Sequence, residues 1–357
     1  MSNVSMKQIG EAVDRLVTVP MSNWTILKGL PMLELYETAR RKVGGPLTLR
    51  AAELLTERVK PGDTVVFLTG FVINTFMRAE TDGPIGAAGL ARAVELGLGA
   101  VPVFLTEELI KEPIERTLAA AGLHVTPKDQ LRTGGRGRKV LVQGFSLDHD
   151  EAKKEAIRFL DEFNPSAVIA VERPSWNRNQ VHHSGGGYNI SSITAKTDYV
   201  FEEARRRGIL TIGIGDLGNE MGMGVIHEEI CQLVPHGKEC LCGCGAGIAS
   251  NVSADVGIMC NISNWGAYGI EACLAAILEE IEVLHDGATE RLMLRECAMG
   301  GAVDPVSGYL RPHVDGETED INVYVVEMLR SIAKHRVQES IFTKDYRDVW
   351  QKAKKTE

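Results

Sequence analysis

Residues 64–105 read TVVFLTGFVINTFMRAETDGPIGAAGLARAVELGLGAVPVFL, and this stretch decides the fold. Residues 64–69 (TVVFLT) form a short apolar, β-branched run, the pattern of a buried strand. Residues 85–98 carry a longer helical pattern that Pro84 opens, because proline suits the first helical position. Residues 100–105 (AVPVFL) return to the strand pattern. A strand, a helix and a second strand in this order make a right-handed crossover between parallel strands. Glu80 and Asp82 stand immediately ahead of the helix, where the first strand has just ended.

The alternation continues outward from this unit. Further strands are expected at 140–143, 167–171 (AVIAV), 210–214 (LTIGI) and 255–260 (DVGIMC), with helices at 107–121, 151–163 and 197–207. About 60 residues before the first strand read as helices, with boundaries at Pro46 and the KPGD turn at 60–63. Helical patterns return at 267–283 and 323–334. The expected class is therefore α/β, a mostly parallel sheet with helices on both faces and helical additions at both ends. With no convincing linker, the expected division is an N-terminal helical segment packed on the core (1–60), an α/β domain (61–345) and a frayed tail (346–357). The basic run RTGGRGRK at 132–139 reads as a solvated loop.

The chain has 357 residues, 39 Lys plus Arg and 48 Asp plus Glu, for a net charge of −9. That balance argues against nucleic-acid binding, which needs a basic face to displace counterions. At 44% hydrophobic and 24% charged the composition is that of a globular protein. A chain of this length buries roughly 75% of its unfolded surface. No stretch approaches the ~18 consecutive apolar residues of a membrane span. The start, MSNVSMKQIGEAVDRL, lacks an apolar h-region and carries Glu11 and Asp14, so a cytoplasmic location is expected. Seven cysteines, of which Cys231, Cys240, Cys242 and Cys244 crowd together, read as reduced thiols rather than a disulfide scaffold.

In open parallel sheets ligands bind beyond the carboxyl ends of the strands. There this chain places TGFVINTFMRAETDGP (69–84), ERPSWNRNQVHHSGGGYNIS (172–191), GDLGNEMGMG (215–224) and NISNWGAYG (261–269). Gathered on one edge, these loops would bring Asp82, Glu172, Arg173, Asn189, Asp216, Asn219, Glu220, Ser263 and Asn264 around one cleft. Asp82, Glu172, Asp216 and Glu220 would repel one another there unless a divalent cation, protons, an arginine or a substrate amine neutralised them. Oxygen-rich sites suit Mg²⁺, Mn²⁺ or Ca²⁺. The plainer alternative is that each carboxylate caps a helix or pairs with a surface arginine.

Gly213, Gly215 and Gly218 have dinucleotide-binding spacing. Asp216 inside that turn would oppose a pyrophosphate, and no strand-terminal acid follows about 20 residues on, so no nucleotide cofactor is expected. Cys240, Cys242 and Cys244 fit neither the C-x₂₋₄-C of structural zinc nor the C-x-x-C of redox pairs, and read as buried small residues in a tight turn. His182 and His183 read as solvated loop histidines that could serve as base or ligand. Trp265 could wall a pocket or pack in the core.

Read in order, TGF, ETDGPIGAAGLARA, VERP with YNIS, IGIGDLGNEMGMG, SNWGAYG, and GGAVDPVSG with HVDG resemble the D-glutamate cyclase family, over about residues 28–316. The resemblance implies a stand-alone form of that family's C-terminal module, an α/β fold and an acidic pocket for a divalent cation. It also implies ring closure of D-glutamate to 5-oxo-D-proline with loss of water, without ATP. Carried across, the site residues are Asp82, Glu172, Arg173, Asn189, Asp216, Asn219, Glu220, Asn264 and Asp304. Asp82, Asp216 and Glu220 are expected to hold Mn²⁺ or Mg²⁺ or to clamp the substrate ammonium. Glu172 is expected to act as general base, and Arg173 and Asn264 to hold the α-carboxylate. The chain departs from the family pattern at Ser175, Leu217 and Pro305 and in the loop with His182 and His183.

The expected partner is a small acidic amino acid, with neither nucleic acid nor membrane, in a chain compatible with homo-oligomers. Competing readings are a metal-dependent hydrolase or lyase acting on another amino acid or a phosphorylated small molecule, and a non-catalytic sensor of acidic amino acids.

Overall fold

The computed structural model describes residues 5–20, 30–132 and 137–337. The expected tail at 346–357, the start of the family resemblance at residue 28 and residues 133–136 of the basic run lie outside them. The strands are β1 (Thr64–Thr69), β2 (Val72–Ile73), β3 (Arg78–Ala79), β4 (Val101–Thr106), β5 (His124–Val125), β6 (Lys139–Gly144), β7 (Ala167–Val171), β8 (Leu210–Gly215) and β9 (Val256–Met259). The helices are α1 (Met6–Val17), α2 (Met32–Val43), α3 (Leu47–Arg58), α4 (Pro84–Leu98), α5 (Lys111–Ala120) and α6 (His149–Phe163). They continue with α7 (Asp198–Arg206), α8 (His227–Leu233), α9 (Ser263–Leu278), α10 (Gly287–Met299) and α11 (Glu319–Val337).

A seven-stranded sheet runs in the order β5-β6-β4-β1-β7-β8-β9, and every pairing within it is parallel. From β1 the chain builds outward through β4, then returns to the opposite side of β1 with β7. This reversal is a topological switch point, where the loops leaving β1 and β7 diverge and open a crevice. Because β1, β7, β8 and β9 are consecutive in the sheet, the four polar loops singled out in the sequence are neighbours on one edge.

The pleat sends alternate side chains to opposite faces. Val65 and Phe67 of β1 join one core with Leu55, Leu90 and Ile270 from α3, α4 and α9. Val66 and Leu68 join a second core with Phe159 and Phe201 from α6 and α7. Each fully buried aliphatic or aromatic side chain there contributes roughly 1.5–3 kcal/mol relative to exposure. Helix α9 is buried from Ser263 to Ala276 and packs against α4, α3, α1 and α11. The buried Asp14 of α1 takes the place of a local cap for α3, accepting from the backbone of Leu47 at 2.6 Å and Thr48 at 3.2 Å.

Six of the seven strands of the main sheet match the expected runs nearly to the residue. Helix α9 begins at Ser263 rather than at the expected residue 267, because its cap comes from a distant loop. The edge strand β5, the β2–β3 hairpin, α8 and α10 were not foreseen. Among the described residues no helix is long and apolar enough to cross a membrane.

Candidate active site

The loop after β1 and the start of α9 are joined by a reciprocal cap. The Asp82 carboxylate accepts from Ser263 N at 2.9 Å and Asn264 N at 2.8 Å, the first amides of α9. In return Asn264 Oδ1 accepts from Gly83 N at 2.9 Å and Gly86 N at 2.6 Å, the first turn of α4. Neither helix has a capping side chain of its own. Two helix N-termini, each with positive partial charge, thus converge on the crevice beside β1.

Around this point the carboxylates collect. Oxygens of Asp82, Asp216 and Asp315 lie within 4.8 Å of one another, and so do oxygens of Glu172, Asp216 and Glu220. Asp216 belongs to both groups, and all five residues are buried. Glu80, also buried, adds its charge to the same field. Burial raises every one of these acids, and repulsion among neighbours adds to it for all but Asp82, whose amide hydrogen bonds pull the other way. Asp82 is pushed up to about 6 and Glu220 to about 7. Glu80, Glu172, Asp216 and Asp315 are driven well above the usual carboxylate range. Asp216 and Asp315 are hydrogen-bonded to each other, which takes a proton between them. Glu80 Oε1 and Glu220 Oε1 are buried and accept no hydrogen bond. This donor set, all oxygen with unused acceptor capacity and excess negative charge, fits a hard divalent cation.

The frame holds these groups against their repulsion. Glu172 follows β7 in a left-handed conformation (φ 43°), a strained placement of the kind found at functional sites. Its Oε2 accepts from Ser263 Oγ at 2.6 Å. Gly83 (φ 95°) makes the close approach possible, since a Cβ there would stand 2.9 Å from Glu172 Cβ. Glu220 Oε2 accepts from Gly218 N at 2.7 Å, and a Cβ on Gly215 would stand 2.5 Å from that oxygen. The glycines of G-x-G-x-x-G therefore make room for the chain's own Glu220 loop: a Cβ on Gly213 would meet Met221 O at 2.2 Å.

Other expected residues have different places. All five N–H groups of Arg173 are engaged: with both Glu107 oxygens at 2.7 Å, with Gly70 O and Ala195 O at 2.8 Å, and with Thr197 Oγ1 at 3.0 Å. The guanidinium ties together the loops after β1, β4 and β7, and has no donor left for a substrate carboxylate. Asn264, occupied as a cap, is likewise held by the protein and donates from Nδ2 to Thr81 O at 3.2 Å. Asn219 Nδ2 donates to His183 O at 3.0 Å, while its buried Oδ1 accepts nothing. Asn189 is exposed and caps a turn by accepting from Ser191 N. The buried Asp304 accepts from Ser307 N and Gly316 N, ordering the loop that carries Asp315.

His182 and His183 are fully buried rather than solvated. His182 Nε2 lies 2.8 Å from Asp198 Oδ2, and His183 turns to the cysteines. Trp265 is core, donating to Asn322 Oδ1 at 2.8 Å. Sequence reasoning missed Asp315, Glu80 as a member of the cluster, and Glu107 as the counter-ion of Arg173. The HVDG and ETDGP phrases were the available signals for the first two. Two departures from the family pattern face away from the carboxylate oxygens. Ser175 Oγ donates to Asp198 at 2.8 Å, and Leu217 packs on the 172–191 loop at Gly185.

The family model described as D-glutamate cyclase-like, C-terminal, matches residues 37–330. The mitochondrial D-glutamate cyclase of Homo sapiens is 25% identical over 225 residues, covering 60% of this chain and 33% of that protein, so the chain matches about a third of its relative's length. The matched span holds β1 to β9 and every carboxylate of the crevice, and the chain belongs to the D-glutamate cyclase-like, C-terminal family.

Proposed function

We propose that the chain is a lyase that closes D-glutamate to 5-oxo-D-proline with loss of water, using a divalent cation, Mn²⁺ or Mg²⁺, held by Asp82, Asp216, Glu220 and Asp315. The observation that carries the reading is Asp216, on the loop after β8, shared between two buried carboxylate groups beside the β1/β7 switch point. A bound cation in such a place polarises the γ-carboxyl oxygen and offsets the charge of a tetrahedral oxyanion.

The chain's own residues supply the rest. Buried carboxylates attract the substrate ammonium into the crevice and exclude competing anions. Glu172, held by Ser263 Oγ, takes a proton from the ammonium, and its raised affinity for protons suits a base working near neutral pH. The freed amine attacks the γ-carboxyl carbon, forming the C–N bond. The nitrogen then loses a second proton, one C–O bond breaks, and the two protons leave with that oxygen as water. Holding amine and carboxyl at attack distance contributes several kcal/mol, up to roughly 7–11 in the best intramolecular cases. Arg173 and Asn264 serve here as positioning residues, through Glu107 and Asp82.

The test incubates chelator-stripped protein with D- or L-glutamate, with and without Mn²⁺ or Mg²⁺, and follows the lactam by proton NMR. Metal-stimulated lactam from the D form, lost in Asp216→Asn, is the expected result. Folded protein that binds glutamate without producing lactam would make the chain a sensor and overturn the proposal.

A further inference from the structure

The cysteine cluster lies outside the carboxylate crevice and takes no part in the chemistry above. Cys240, Cys242 and Cys244 come from the loop between α8 and β9, and His183 comes from the loop after β7. Their ligand atoms all lie within 4.8 Å of one another. The Cys240 sulfur is 3.3 Å from that of Cys242 and 3.4 Å from that of Cys244. His183 Nε2 is 3.2 Å from Cys242 Sγ and 3.8 Å from Cys244 Sγ.

We propose that His183, Cys240, Cys242 and Cys244 form a structural zinc site. A regular tetrahedron with Zn–S near 2.3 Å and Zn–N near 2.0–2.1 Å has ligand-to-ligand edges of about 3.5–3.8 Å, close to the observed separations. Three thiolates and one imidazole make a closed, four-ligand set of the kind zinc takes in structural sites, with no position left for a substrate. Three sulfurs this close with no cation would repel one another once ionised.

The C-x-C-x-C spacing works because the chain turns sharply at Gly243 (φ 72°) and Gly245 (φ 78°), which lets sulfurs two residues apart face one point. The surrounding polar contacts hold the ligand loop in register. Asn177 Nδ2 donates to Cys244 Sγ at 3.3 Å and Gly247 O at 2.8 Å. Asn179 Nδ2 donates to Cys244 O at 2.7 Å, and Leu241 N donates to Gly187 O at 3.0 Å. Such outer contacts orient metal ligands.

The site has a consequence for the crevice. The carbonyl of the zinc ligand His183 accepts from Asn219, the neighbour of Glu220. Zinc therefore clips the 240–244 loop to the loop after β7, which in turn braces the Glu220 loop through the His183 carbonyl, and its binding energy adds to folding.

The test measures metal in the full chain, purified without a polyhistidine tag and dialysed against metal-free buffer. The expected result is one zinc per chain, retained in Asp216→Asn and lost in Cys240→Ser and Cys244→Ser. Zinc-edge X-ray absorption of the unmutated chain should show a shell of three sulfurs and one nitrogen, a readout that survives even if the cysteine variants do not fold. Folded protein that neither carries zinc nor takes it up after reduction would overturn the proposal. So would a zinc shell of oxygen alone, or a disulfide among the three cysteines in freshly isolated chain.

Discussion

Asp82 and Asn264 each cap the helix that the other begins or precedes: the aspartate accepts from the first amides of α9, and the asparagine accepts from Gly83 and Gly86 at the start of α4. The exchange locks the two helices at the crevice and leaves Asp82 facing Asp216 and Asp315.

Asn264→Ala removes the side-chain acceptor of the buried Gly86 amide, while Gly83 N keeps Asp82 Oδ1 at 3.0 Å. With an orphaned buried donor costing about 1–3 kcal/mol, a loss of that order is expected. Urea unfolding checks it through a lower midpoint at unchanged slope. An unchanged midpoint would show that the reciprocal cap is not a stabilising feature.

The crevice makes stability fall as pH rises. Asp82 and Glu220, at about 6 and about 7 in the fold, lie above their unfolded values of roughly 4. The folded state therefore binds more protons, and the stability they contribute below pH 4 is lost between about pH 4 and 7. In chelator, the melting temperature of the wild type should decline across pH 5–7.5 more steeply than that of Asp216→Asn, which carries less repulsion. Added Mn²⁺ should stabilise the wild type more at pH 7.5 than at pH 5.5, because it binds the ionised acids.

Glu107→Ala leaves the fully buried Arg173 guanidinium without its counter-ion. Breaking a buried pair in this way costs about 3–5 kcal/mol, which chemical denaturation would register. The loops after β1, β4 and β7 should loosen together, and hydrogen exchange confined to one of them would contradict the tie assigned to Arg173.

Ser263→Ala withdraws the hydroxyl that donates to Glu172 Oε2. A hydrogen bond to a carboxylate favours its ionised form, so Glu172 should become still harder to ionise. At about 1.5–3 kcal/mol for such a bond, the acidic limb of kcat/KM moves up by roughly 1–2 pH units. A profile that does not move would remove Glu172 from the role of base.

The chain alone carries the alternation of strands and helices, because burial on both faces of a parallel sheet writes short apolar runs into it. It also determined that Asp82, Glu172, Asp216 and Glu220 follow strand ends, since strand positions are local information. Packing in three dimensions makes β1, β7, β8 and β9 consecutive, which turns separate loops into one crevice. It alone brought in Asp315 from a loop after α10, gave Arg173 to Glu107, and set His183 beside cysteines from a loop far along the chain. Caps, counter-ions and metal ligands are chosen by proximity in space, and periodicity along the chain carries no record of which distant residue will supply them.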